Sequence, residues 1–351
     1  MKQIRSTIIR AGLDALYFSG AHRVLRPFFG GVGTIFMLHH VRPAHAGPFQ
    51  PNRHLEITPD FLRATLAYIR ASGIDIITLD ELQRRLAEQD FSRRFTCFTS
   101  DDGYRDNCDF ALPAMREFDA PFAVYVTSDF AKGTGRLWWI ALERLIARAD
   151  AIEAPIDGDR VRLDTSTAVG KEMAFDRLHG WLRGLPDAAL RREMTALCAA
   201  HGVDENAISR ELCMSWDELK SFAADPLVTI GAHGVSHCNI SKQSEADALQ
   251  ELTSSRLQIE AALQRPVRHL AYPYGDRCAA GTREFALAQQ AGFATAVTTR
   301  PGVIFADNAE QLTALPRVSL NGNFQDTRYL PVLTSGAATA MYNGFRRGSV
   351  A

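Results

Sequence analysis

Two short stretches carry the residues best placed to do chemistry. Thr99-Ser100-Asp101-Asp102-Gly103 sets two carboxylates side by side after the apolar run Phe95 to Phe98. His233-Gly234-Val235-Ser236-His237 sets two imidazoles four residues apart after the run Leu227 to Ile230. One carboxylate and two imidazoles make a three-ligand set for a divalent cation, with a position left for water. Adjacent carboxylates repel, and a cation that takes one as ligand relieves this and leaves the other as a base. With Asp102 as the oxygen donor beside His233 and His237, the set suits zinc, and also cobalt or manganese. Each half has a plain structural reading: Asp-Asp-Gly suits a turn, and either histidine could sit hydrogen-bonded in a core. Together they are the minimum equipment of a metal-assisted hydrolase.

Other candidates also follow apolar runs. His39-His40 comes after Thr34 to Leu38, and histidine is the natural general acid near neutral pH. Pro273-Tyr274-Gly275 follows His269 to Tyr272; it is an ordinary turn in isolation, and beside a metal its backbone N–H could face a developing oxyanion. Trp216 is open between core anchor and sugar-stacking platform. Cys238, next to His237, is open between core packing and a thiolate ligand.

Strand-like runs alternate with helical ones along the chain. Thr58 and Pro59 supply an N-cap and a first helical residue for a helix over 60–71. Further helices are expected near 80–87, 109–118, 138–149, 244–263 and 282–291, with strands at 75–78, 122–126 and 294–297. This alternation indicates an α/β fold with a largely parallel sheet. The chemical residues repeatedly come just after a strand, which favours an irregular (β/α) barrel with its site at the C-terminal strand ends. Residues 151–212 break the pattern with a Gly/Asp/Arg-rich piece and polar amphipathic helices, and read as an insertion. The chain then divides into a helical segment 1–33, a main domain 34–330 containing that insertion, and a small-residue tail 331–351.

Composition narrows the class. The 351 residues are 46% hydrophobic with a net charge of −1, which supports a sizeable core and gives no basic excess for nucleic acid. Six cysteines without regular spacing suggest a reducing compartment rather than a disulfide scaffold. Cys97, inside an apolar run, is expected to pack as a small hydrophobe. No run reaches the length of a membrane span, and no secretory signal is evident, so a cytoplasmic location is expected. The stretch from Ile8 to Phe29 mixes Tyr17, Phe18, Phe28 and Phe29 with Arg10, His22, Arg23 and Arg26. A helix on an anionic membrane, at the inner face here, has this pattern, as does a helix packed on its own domain.

In their order these motifs resemble the polysaccharide deacetylases of carbohydrate esterase family 4, which include the nodulation-type chitooligosaccharide deacetylases. The first motif, usually TFDDG, stands as Thr99-Ser100-Asp101-Asp102-Gly103 and runs on into Tyr104-Arg105-Asp106-Asn107. The second, H-[ST]-x-x-H, stands as His233 to His237, and the third as Ala271-Tyr272-Pro273-Tyr274-Gly275. Leu315-Pro316-Arg317-Val318 is also similar. Ser100 replaces a usual Phe, and Gly234 a usual hydroxyl residue. The resemblance implies Asp101 as catalytic base, Asp102, His233 and His237 as metal ligands, and the Tyr274 N–H as oxyanion donor. No late Leu-x-His motif is present; Leu38-His39-His40-Val41 is similar to the early Tyr-His motif of one branch, making His39 the acid and His40 the alternative. The implied activity is divalent-metal-dependent removal of acetyl groups from N-acetylated sugars of a polysaccharide, oligosaccharide or lipid-linked glycan, with zinc the first choice of metal and cobalt or manganese the alternatives. O-acetyl ester hydrolysis and a silent carbohydrate-binding homologue are the alternatives.

Overall fold

The structure is a computed structural model and describes residues 2–346; Arg347 and the rest of the C-terminal tail lie outside the described residues. Twelve strands are found among them: β1 (Gly33–Leu38), β2 (His40–Val41), β3 (Glu56–Ile57), β4 (Asp75–Ile76), β5 (Phe95–Ser100), β6 (Phe122–Val126), β7 (Ala151–Ile156), β8 (Asp159–Asp164), β9 (Val228–Ala232), β10 (His269–Ala271), β11 (Thr295–Pro301) and β12 (Leu315–Ser319). Seven run side by side in the order β1-β12-β11-β10-β9-β6-β5, and β1 pairs again with β5. That last pairing, with Ile35 opposite Cys97 and Leu38 opposite Ser100, closes a parallel barrel. The short β4 adds to the start of β5. This is the irregular (β/α) barrel that the strand–helix alternation indicated.

Alternation along each strand sorts side chains into two cores. Ile35, Cys97, Tyr125, Ala271, Val297 and Leu315 form one apolar cluster, the barrel interior. Their chain neighbours, Phe36, Phe98, Val124, Leu270 and Ala296, belong to a larger cluster under the surrounding helices. Leu79, Leu82 and Leu86 of the helix Leu79–Glu88 join the interior cluster, and so plug the end where the strands begin. Tyr125 fills the middle: a Cβ at Gly231 would lie 2.5 Å from its ring, so only glycine fits there. Cys97 packs inside the barrel, and burial pushes its thiol well above the ordinary value.

The same period of two carries the interior faces on to the site. Two residues beyond Leu315 on its face is Arg317, and two and four beyond Cys97 are Thr99 and Asp101. The helix Pro59–Ala71 begins as its sequence requires, with the Thr58 side chain accepting from Phe61 N.

Three stretches carry more structure than the sequence alone indicates. The stretch Ile8 to Phe29 is two helices, Lys2–Phe18 and Ala21–Phe29, because Gly20 turns the chain at φ 72°. Among the described residues, the tail forms the helices Tyr329–Thr334 and Ala337–Tyr342, which pack against those N-terminal helices. Leu315 to Ser319, read only as a motif, is a full barrel strand. Within 151–212, β7 and β8 pair antiparallel across a turn at Asp157-Gly158, and three helices follow: Ala168–Gly184, Asp187–Ala200 and Glu205–Leu212. Their apolar sides share one cluster with Tyr104 and the helix Trp138–Arg148.

Candidate active site

Asp102, His233 and His237 converge at the C-terminal ends of β5 and β9, their ligand atoms all within 4.8 Å of one another. Asp102 Oδ1 lies 3.5 Å from His233 Nε2 and 3.3 Å from His237 Nε2. This oxygen is buried and has no hydrogen-bond partner, which is costly unless something else binds it. The His233 Nδ1–H donates to the Ala271 carbonyl at 2.7 Å, so Nε2 carries the free lone pair. Burial pulls His233 down to about 4, and so it is neutral at neutral pH, the form a metal needs. Burial pushes Asp102 up, but His237 and His233 outweigh it and leave the carboxylate ionised. One carboxylate oxygen and two imidazole nitrogens fit a divalent cation of the zinc class.

Asp101 lines the same cleft beside this cluster and is anchored from the barrel interior. Arg317 Nη1 and Nη2 donate to its two oxygens, both at 2.7 Å, and Arg317 is wholly buried. Arg317 is itself held by Nε donating to Thr298 O at 2.8 Å and lies over the Tyr125 ring at 5.9 Å. Burial raises the Asp101 carboxyl, and the Arg317 guanidinium more than reverses this. The carboxylate is therefore charged, oriented and limited in basicity.

His39 and His40 diverge. His39 lies on the cleft, its Nε2 3.8 Å from Asp101 Oδ2, with 17% of its side chain exposed. Its carbonyl accepts from Ser100 Oγ at 2.9 Å and Asn107 Nδ2 at 3.0 Å, so the residue replacing the usual Phe helps to fix this loop. Burial lowers its pKa, opposed by Asp101 and Asp102. His40 is turned inward, stacked on Tyr104 with ring centres 3.5 Å apart, and its Nδ1 donates to Asp106 Oδ2 at 2.6 Å.

Three site residues, Asp102, His237 and Tyr274, have left-handed backbones with φ of 73°, 57° and 63°. Such conformations strain residues that carry a Cβ. The loop between the histidines is braced by Glu251, whose Oε1 accepts from Val235 N at 3.0 Å and Ser236 N at 2.7 Å. Gly234, at φ 77°, fits beside that carboxylate, where a Cβ would lie 3.2 Å from Glu251 Oε1.

These groups form the floor of a cleft of about 310 Å³. Its wall comes from residues that the sequence reading did not single out: Trp138, Trp139, His179 and Arg183. Trp138 Nε1 donates to Tyr274 Oη at 2.9 Å, and Arg183 lies 5.3 Å over the Tyr274 ring while pairing with Asp276. Their only signal was position, on helices in and beside the insertion. Arg317 had a stronger one: a charged residue in an apolar strand requires a buried partner. Trp216 packs against the main core and is not in the cleft. Cys238 is buried in that core, its thiol pushed up to about 12 by burial, and is not among the clustered ligands.

The polysaccharide deacetylase family model matches residues 189–296, which include His233, His237 and Tyr274 but not Asp101 or Asp102. Among solved structures, the chain is similar to the Streptococcus pyogenes deacetylase PplD in complex with acetate (15% identity, TM-score 0.54, 83% of this chain and 92% of that one). It is also similar to IcaB from Ammonifex degensii (17%, 0.52, 83% and 93%) and to a de-N-acetylase from Aggregatibacter actinomycetemcomitans (11%, 0.52, 82% and 94%). At these identities the likeness is one of fold. No curated protein matches. Over residues 189–296 the chain is similar to the polysaccharide deacetylase family, and its barrel is the fold of these solved deacetylases.

Proposed function

We propose that the protein is a divalent-metal-dependent hydrolase that removes acetyl groups from N-acetylated sugars of a glycan. One observation carries this reading: a buried, unpartnered carboxylate oxygen faces two imidazoles, directly beside a second buried and ionised carboxylate. Asp102, His233 and His237 would hold the cation, which when bound supplies Lewis acidity toward an acetyl carbonyl and lowers the pKa of water. Asp101 takes the proton of the attacking water, its oxygens kept in place by Arg317. The Tyr274 N–H faces the developing oxyanion, on a turn whose carbonyl accepts from Thr299 Oγ1 at 2.7 Å. His39 delivers a proton to the leaving amine, and acetate and a free amino sugar result. The aromatic wall of Trp138 and Trp139 suits the apolar face of a sugar ring.

The test is acetate release from N-acetylated chitooligosaccharides, before and after chelation and with zinc restored. Activity lost to chelator and regained with zinc supports the reading, and Asp101→Asn should lower turnover at least about a hundredfold while zinc still binds. Full activity in chelated protein, or in Asp101→Asn, would overturn it. Release only from O-acetylated glycans would reassign the substrate bond.

A further inference from the structure

Eleven large apolar side chains are exposed among the described residues, and eight of them belong to the two ends of the chain. Ile8, Ile9, Phe18, Val24 and Phe28 come from the N-terminal helices, and Met341, Tyr342 and Phe345 from the C-terminal segment. These segments are packed together: the rings of Phe29 and Phe345 are 5.9 Å apart, and a Cβ on Gly12 would lie 2.9 Å from Met341 Cε. The helix Lys2–Phe18 is apolar on two sides. Leu13 and Leu16 turn inward onto Tyr329 and Val332. Ile8, Ala11, Ala15 and Phe18, spaced three and four residues apart, form a second row that is exposed throughout. A helix that merely covered its own domain would need only the first row. On the next helix Val24, Pro27 and Phe28 form a matching outward row, with Val24 70% and Phe28 61% exposed.

Charge defines what fits this face. Residues 1–32 carry Lys2, Arg5, Arg10, Arg23 and Arg26 against a single acid, Asp14, which accepts from Tyr329 Oη at 2.9 Å. Arg23 and Arg26 are exposed beside the apolar row, and no carboxylate pairs with either among the described residues. No described helix is long and apolar enough to cross a membrane. We propose that this face docks on the surface of an anionic lipid bilayer, with the apolar rows at the acyl boundary and the arginines among the headgroup phosphates. A second copy of the chain fits less well, because a two-fold contact would set Arg23 and Arg26 against their own counterparts. The helix Ala21–Phe29 enters the barrel where β1 begins, whereas the cleft lies at the opposite strand ends.

The experiment is co-sedimentation of the full chain with vesicles of phosphatidylcholine alone and of phosphatidylcholine with phosphatidylglycerol at about 2:1. Binding is expected to the mixed vesicles and to fall steeply at about 0.5 M salt, where surface charge is screened. Arg23→Gln with Arg26→Gln should weaken it about tenfold or more, since each arginine near an anionic surface is worth roughly fivefold. Phe18→Ser with Phe28→Ser should weaken it comparably. Both pairs are exposed and outside the cleft, so turnover of a soluble substrate and the circular dichroism spectrum should be unchanged, separating this proposal from the catalytic one. Wild-type protein left in the supernatant with mixed vesicles, or bound equally to neutral ones, would overturn it. So would a dimer in solution that Phe28→Ser dissociates.

Discussion

His39 and His40 are adjacent in the chain, yet the backbone sends them to opposite surroundings. His39 meets the cleft and Asp101, while His40 is clamped between Tyr104 and Asp106. His39→Ala should lower turnover by about a hundredfold or more, as loss of a general acid does, with little change in melting temperature. His40→Ala should instead leave the Asp106 carboxylate short of a donor and cost about 1–3 kcal/mol of stability, read by denaturant unfolding. The reverse pattern would move the acid to His40. Arg317→Met isolates a buried charge on Asp101, and should destabilise the fold by about 3–5 kcal/mol in urea unfolding. Unchanged stability would mean that Asp101 is not held ionised by this pair. Asp101, Asp102 and the two site histidines were legible as residues because they follow strands in short, self-contained motifs. The role of Arg317 was not, since its partner lies 216 positions away.

Elements rather than single residues join the insertion to the site. Arg105, three residues beyond Asp102, donates through Nε and Nη2 to both oxygens of Glu218 and through Nη2 to Cys213 O at 2.8 Å. It thereby ties the loop after β5 to the chain leaving the insertion. Glu218 also closes a capping box with Ser215 at the head of the helix Trp216–Phe222. The hydrogen bond from Arg105 lowers the Glu218 pKa from 4.5 to about 2. A carboxyl depressed in the folded state stabilises above its unfolded value and loses that contribution as pH falls through the folded one. Wild type should therefore be more stable than Glu218→Gln above about pH 4.5, the two converging toward pH 2. The carboxylate is 42% exposed, so the difference is small and should shrink with salt. A gap unchanged between pH 6 and pH 3, roughly the window in question, would assign the effect to packing instead. Most barrel strands were legible as apolar runs between helical periods. β12 was not, because Pro316 and Arg317 interrupt its apolar pattern. The cleft wall was invisible for a different reason: His179 and Arg183 sit on a helix of ordinary amphipathic composition, and only the packing of the insertion turns them toward the floor.

At the scale of the whole molecule, one barrel gathers ligands from β5 and β9 and a turn from β10. A cation held there binds only the folded chain, so zinc at a hundredfold excess over Kd should add about 2.7 kcal/mol and raise the melting temperature by a few degrees. A melting curve indifferent to both zinc and chelator would show that the three ligands do not hold a metal. The left-handed backbones of Asp102, His237 and Tyr274 bear on the history such a fold can have. Each costs on the order of 1 kcal/mol that glycine would not incur. In the absence of metal, Asp102→Gly relieves strain and removes a buried oxygen that no hydrogen bond satisfies, which offsets part of what the substitution costs, whereas His237→Gly also gives up the packing of the imidazole against Phe130 and Trp139. If the proposed metal site is right, Asp102 is kept by turnover rather than by stability, and a lineage released from that demand would be expected to lose this carboxylate before it lost its barrel.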